Sequence, residues 1–277
     1  MNSPVFAKAP TPRRATLWDH MLEPVLNVNA LFVYFFLYLP IFVLIVFSFN
    51  ASQFSSVWGG FSVAWYLKLF QDAEIVEALR NTLIVAGLST LFATLLGTMA
   101  ALALSKFRFP GESAYEAALH WPIILPDLVQ GLSLLIFFAL ILHLALGLHT
   151  IVIAHVAFSL SYVTIVVRAR LKGFDKNLEE AAMDLGATPW QTFWKITFPL
   201  IWPGIVSGAL LVFTLSLDEF VIAFFVTGPG ASTLPIKIYS LVKRGVTPEI
   251  NALATLMLLT SILLVSLSIL LQRRRSS

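Results

Sequence analysis

An all-α integral membrane protein of six transmembrane helices is the fold this sequence predicts, and three observations carry the prediction. Mean hydropathy is +0.86 over 277 residues, with 58% hydrophobic and 12% charged side chains, a balance that excludes an ordinary water-facing globular domain. The apolar residues collect into windows near the roughly twenty that one helix needs to cross the hydrocarbon. Those windows are too long and too uniformly apolar for the tilted strands of about ten residues that build a barrel.

The elements follow in order. Residues 1–27 carry Lys8, Arg13, Arg14, Asp19, Pro10 and Pro12 and are expected as a tail. The first apolar run, 28–49, is too long for the core of a cleaved leader and lacks a small-residue cleavage pattern behind it, so it is expected to remain as a span. The second is 79–104. The third, 118–146, is overlong and holds Pro122 and Pro126, which predict a short helix or bend ahead of the crossing. The fourth is 149–168, and the fifth, 200–227, is stopped by Gly228-Pro229-Gly230. The sixth, 250–271, has Thr247 as a cap and Pro248 in its first turn, and Gln272 with Arg273–Arg275 ends it in water, opening a tail over 272–277. The membrane domain is thus 28–271.

Charge orients these spans. Of 18 Lys and Arg, all but Lys68, Arg80, Lys237, Lys243 and Arg244 fall in the two tails, at Lys106 and Arg108, or in the loop 169–199 and its edge at Arg168. By the positive-inside rule, both termini and that loop are cytoplasmic. The net charge of +3 is therefore a topology signal and gives no support to nucleic-acid binding. There is no phosphate-binding glycine loop, no metal-ligand spacing and no nucleophile–base pattern. The histidines, His20, His120, His143, His149 and His155, are dispersed and read as interfacial or helix-packing residues, and the absence of cysteine excludes thiolate chemistry.

The loop between the fourth and fifth spans reads as two short helices at an angle. Asp175 or Asn177 can cap the first, Glu180 stands where a capping box places an acid, and Gly186 supplies the left-handed position that ends it. Thr188, Pro189 and Gln191 open the second in Thr-x-x-Gln form, and Pro199 is expected to end it. Ala181, Ala182 and Leu185 present a small apolar patch that permits close backbone approach. Acids at the start of the first helix are poorly placed against anionic lipid, so this surface calls for a protein partner.

Glu180-Ala181-Ala182, three residues, Gly186, nine residues, Ile196, one residue, Phe198-Pro199 resembles the EAA signature of ABC-importer permeases, with Phe198 where the pattern usually has Leu. The resemblance runs from about residue 30 to 271, and PIILPDLVQGLSLL (122–135), FTLSLDEFVIAFFVTGPGASTLP (213–235) and KIYSLVKRGVTPEINALAT (237–255) are similar to the polyamine branch, the spermidine/putrescine permeases, most of all to the second permease subunit of the putrescine type. It implies the type I ABC-importer permease fold in a bacterial inner membrane. Glu180, Ala181, Ala182, Asp184, Leu185 and Gly186 would couple to a cytoplasmic ATP-binding subunit, present in two copies. A second permease subunit would complete a heterodimer, and an extracytoplasmic binding protein would deliver the cargo. ATP and Mg would be bound by the partner ATPase, with no cofactor, metal or catalytic residue in this chain.

Asp218 and Glu219 interrupt an apolar stretch, at a cost of about 2.5–3.5 kcal/mol each if at mid-membrane. They face a cation path, mark the outer interface, or pair with Lys237 or Lys243; relatives often show two aspartates here. Neighbouring helical positions lie about 100° apart, so one of the two is expected to face the path. Asp127, after Pro126, lines a cavity or caps the third span. Trp65 and Tyr66 offer a cation–π surface or form part of an aromatic belt. The rival functions are a permease for another small solute of the same superfamily and a proton- or Na⁺-coupled carrier using the three acids as a relay, which would have no use for a docking loop. An intramembrane enzyme lacks any paired catalytic constellation.

Overall fold

The computed structural model describes residues 17–54, 57–173, 175, 177–245 and 247–273. Helix α1, Leu17–Phe47, begins well ahead of residue 28, because hydropathy marks only the lipid-buried part of a helix and not its polar extension. Residues 1–16 and 274–277, with most of both expected tails, lie outside the described residues. After α2, Ala64–Leu69, the long α3, Ala73–Lys106, is opened by Asp72, whose carboxylate accepts the N–H groups of Glu74 and Ile75 at 2.9 and 3.2 Å.

The third segment is not one straight crossing. Helix α4, Glu112–Ile124, and helix α5, Asp127–Ile136 with a π-helical turn at Phe137–Ile141, bend by 113°. The prolines locate the bend, and Gln130 stabilises it by donating Nε2 to the carbonyls of Pro122 and Leu125 at 2.8 and 2.9 Å. Asp127 is the first residue of α5, with Pro126 in the capping position. Helix α6, Leu148–Lys172, is the fourth span.

In the following loop, α7 is Asn177–Asp184 and α8 is Pro189–Thr192. Pro199 does not end the second helix. Helix α8 passes through a π-helical turn, Phe193–Thr197, into α9, Phe198–Asp218, so that Pro189–Asp218 is one run of 30 residues. A proline just beyond a π turn lacks an N–H where the hydrogen-bond pattern is already shifted, and the chain continues. The fifth segment breaks instead at its far end: α9 stops at Asp218, and a separate α10, Val221–Val226, precedes Gly228-Pro229-Gly230. Helix α11, Leu234–Arg244, and the last span α12, Pro248–Arg273, complete the chain. Among the described residues, five helices are thus long and apolar enough to cross a membrane, or six when the bent pair is counted as one span.

Small residues decide which helices form the core. Lipid gives little hydrophobic drive between helices, so close packing must supply the contact. Helices α3, α6 and α9 pack on one another, and a Cβ on Gly97 of α3 would stand 2.7 Å from Cβ of Val163 on α6. A Cβ on Gly208 of α9 would approach the same valine at 3.4 Å. Around this contact Ala93, Ala101, Val163, Val167, Ile201, Ile205 and Val212 form one buried cluster.

At the end remote from the loop 169–199, α10 lies against α5 and α6, and Phe138, Ile151, Phe158 and Ile222 fill the space between them. Helix α11 is held to α3 by Asn81, whose side chain donates to the carbonyls of Gly230 and Ser232 at 3.2 and 3.1 Å, and by Thr82, which accepts from Leu234 N–H at 2.7 Å. Lys237 of α11 pairs with Glu74 of α3.

Candidate functional site

The loop 169–199 is built from local signals. Asp175 accepts the N–H of Asn177 at 3.0 Å and so caps α7, while Glu180 stays exposed on its outer face. Gly186 adopts φ +89, the left-handed geometry that a Cβ disfavours, and the N–H of Ala187 returns to the carbonyl of Ala182 at 3.0 Å to close the helix. Thr188 and Gln191 cap each other reciprocally at 3.0 and 3.3 Å. Helix α7 buries none of its residues: Glu180, Ala181, Asp184, Leu185 and Gly186 are exposed and Ala182 partly so, with Leu185 at 90%. A leucine held out that far gives the loop an apolar contact point directed away from the rest of the chain.

The two acids at the end of α9 part company. Glu219 turns back toward the protein: its two carboxylate oxygens accept the N–H groups of Ile222 and Ala223 at 2.7 and 2.8 Å, which caps α10. Its Oε2 lies 3.3 Å from Nε2 of the buried His155, close but out of line for a hydrogen bond, and Nδ1 of His155 is 2.6 Å from Ser216 Oγ. His155 is thus a packing residue of the helix joint.

Asp218 faces the other way. It lines an apolar cleft of about 330 Å³ walled by α2, α3, α9, α11 and α12, and it is the one ionisable side chain on that wall among the described residues. Ser261 of α12 donates its hydroxyl to the carboxylate at 3.1 Å. Leu79 and Leu83 of α3, Phe213 and Leu217 of α9, and Leu256 and Met257 of α12 provide the hydrocarbon surface. Helix α9 has 21 residues, about 30 Å at ~1.5 Å per residue, so Asp218 stands a membrane thickness away from the coupling loop.

The remaining candidates are not brought to this cleft. Asp127 is exposed at the start of α5. Trp65 donates Nε1 to the carbonyl of Asn50 at 2.8 Å, and the ammonium of Lys68 stands 5.1 Å from its ring centroid, a cation already in place. Tyr66 shares a hydrogen bond of 2.6 Å with Ser48. Both rings brace the loop after α1, where the buried Asn50 accepts from the N–H groups of Ser52 and Gly59. Neither Lys237 nor Lys243 pairs with the acids, since Lys237 is held by Glu74 and Lys243 lies 4.6 Å over the Tyr239 ring. Sequence reasoning missed Ser261, whose role depends on which helices become neighbours; His155 reads as an interfacial or helix-packing residue in the sequence, but its place behind Glu219 is not visible there.

An EAA-spaced loop presented outward beneath a six-segment membrane bundle invites comparison with known transporters. The family model described as "Binding-protein-dependent transport system inner membrane component" matches residues 25–276. The chain belongs to this family. Among its relatives, the putrescine transport system permease protein PotI of Escherichia coli K12 is 47% identical over 229 residues, covering 80% of this chain and 82% of that protein. The spermidine/putrescine transport system permease protein PotC of the same organism is 43% identical over 244 residues, covering 88% and 92%. A bacterial ABC transporter involved in the import of alginate contains a chain of the same fold, with a TM-score of 0.74 at 20% identity over 94% of this chain and 97% of that one. This permease therefore has the type I importer fold and is a multi-pass inner-membrane subunit of a non-catalytic family. The likeness of family and fold leaves the ion-coupled carrier without support.

Proposed function

We propose that this permease forms part of the translocation path of an ATP-driven importer for a di- or polyamine of the putrescine/spermidine class, with the exposed loop as its ATPase contact and Asp218 as a counter-charge for the passing ammonium. The observation that carries the cargo class is the cleft itself: a hydrocarbon wall with one carboxylate and neighbouring hydroxyls, the complement of an alkyl chain ending in an ammonium. The relatives named for putrescine and spermidine transport support the same chemistry. A carboxylate and an ammonium about 4 Å apart at an effective dielectric near 20 attract by about 4 kcal/mol, before desolvation is subtracted. That is enough to hold an amine briefly and weak enough to release it, as a path requires.

The partners follow from the same reading. An ATP-binding subunit, in two copies, seats α7 and supplies ATP and Mg chemistry; a second permease completes a heterodimer; an external binding protein delivers the amine to the cleft end. Both termini and the loop 169–199 face the cytoplasm, as the Lys and Arg distribution requires. Glu180, Ala181, Ala182, Asp184, Leu185 and Gly186 form the ATPase contact. Trp65, Tyr66, Asp127 and Glu219 are left out of the path, because the first two and the last already serve the protein's own packing and Asp127 is not part of the cleft.

Reconstitution with the cognate ATPase, second permease and binding protein tests this reading. Radiolabelled putrescine should accumulate in proteoliposomes only with ATP, and Asp218→Asn should lower initial uptake while the complex assembles normally. Uptake without the ATPase, or normal uptake by Asp218→Asn, would refute it.

A further inference from the structure

We propose that Lys106, Glu179 and Thr197 form the joint through which motion of the coupling loop reaches the walls of the cleft. This rests on the reading of that loop as the ATPase contact and adds the side chains that carry the motion inward. Glu179 stands immediately before the exposed Glu180, yet only 18% of its own side chain is exposed. Its Oε1 lies 2.6 Å from Nζ of Lys106, the last residue of α3. The same oxygen accepts the hydroxyl of Thr197, the last residue of the π-helical turn leading into α9. Lys106 Nζ is also 3.4 Å from Thr197 Oγ1, and Thr197 is fully buried.

Three elements thus meet at one carboxylate: the loop helix, the foot of α3 and the foot of α9. Helix α7 buries no residue, so this polar contact is its best-defined hold on the spans. A surface contact transmits only a push, whereas a charge-assisted hydrogen bond resists separation as well and can transmit a pull. The choice of helices is the informative part. At their far ends, α3 contributes Leu79 and Leu83, and α9 contributes Phe213, Leu217 and Asp218, to the cleft. The two spans gripped at the coupling end are two that wall the cleft at the other. Thr197 closes a π turn, a segment whose hydrogen bonds are already displaced from the α pattern and which recurs at functional sites in helices. Lys106 and Thr197 are therefore positioning residues for transport, and neither is expected to touch cargo or nucleotide.

The test uses the assembled complex with ATPase, second permease and binding protein. The chain has no cysteine, so spin labels can be placed at the cleft walls through Leu79→Cys and Phe213→Cys. Their separation should change on ATP binding in the otherwise native complex, and Lys106→Met or Thr197→Val should abolish that change while ATP hydrolysis and complex yield persist. Radiolabelled putrescine uptake per ATP hydrolysed should fall about tenfold or more, as expected for loss of a charge-assisted bond. Lys106→Arg should restore both readouts. An ATP-driven label movement that survives Lys106→Met and Thr197→Val overturns the joint, and so does a parallel fall of hydrolysis, uptake and complex yield. A native complex whose labels move but which carries no putrescine would refute the cargo assignment and leave the joint standing.

Discussion

Asp218 and Glu219 are adjacent in the chain and serve opposite sides of it: Glu219 closes its carboxylate over the N–H groups of Ile222 and Ala223, at 2.7 and 2.8 Å, while Asp218 meets Ser261 across the cleft at 3.1 Å. The break between α9 and α10 is what separates them. In a continuous helix both could not be satisfied in this way.

The two acids should therefore fail differently when neutralised. Asp218→Asn should reduce amine uptake per assembled complex and leave thermal stability near that of the native protein. Glu219→Gln keeps one acceptor but loses charge and the second oxygen, and should destabilise the subunit by about 1 kcal/mol. Uptake normalised to assembled complex, read beside thermal unfolding in detergent, distinguishes them. Equal stability losses in both variants would contradict the division.

The coupling loop separates shape from contact. Gly186→Val forces a β-branched residue into a left-handed conformation costing roughly 1–2 kcal/mol, although no atom lies within 4 Å of the added Cβ. The strain should be relieved by a shift of α7, with loss of ATP-driven uptake and intact membrane insertion. Glu180→Lys reverses an exposed charge without touching the Asp175 cap, so the permease should assemble and bind its ATPase more weakly. Co-purification of the ATPase with each variant reads both effects.

Two glycines of α3 make a paired test of packing. Gly87 has open space around it, and Gly87→Ala should be neutral or stabilising by up to about 1 kcal/mol. Gly97→Ala puts a methyl 2.7 Å from Val163 Cβ and should destabilise by about 1–3 kcal/mol, with α3 and α6 forced apart. Thermal unfolding of the purified subunit should rank them in that order.

Orientation is open to a direct measurement because the chain has no cysteine. Lys172→Cys should react with a membrane-impermeant maleimide only in inverted vesicles, and Lys243→Cys only from outside intact spheroplasts. Labelling of Lys243→Cys from the cytoplasmic side would reverse the positive-inside assignment.

What the sequence makes legible is what is local. The Thr188–Gln191 box and the left-handed Gly186 depend on residues within a turn of each other, and both stand as the spacing implies. Pro122 and Pro126 announce a bend, but its 113° depends on Gln130 reaching back to two carbonyls. Pro199 misleads for a related reason, since a π turn upstream removes the need for the missing donor. That Asp218 and Glu219 would diverge is readable from the ~100° step between helical neighbours, but which of them turns which way is not. It requires knowing that α12 lies beside α9 and that His155 of α6 backs the start of α10, contacts made by residues remote in the chain.

The uninterrupted run from Pro189 to Asp218 is 30 residues, about 45 Å at ~1.5 Å per residue. Moved as one body, that run would be a lever with its short arm in the loop and its tip at the carboxylate. Tilting it by about 5° around Thr197 sweeps the tip through roughly 3 Å, given the ~30 Å of helix beyond that fulcrum. That displacement is more than half the width of a methylene chain, so on the proposed path a small tilt at one end of the run would be enough to narrow or widen the cleft at the other.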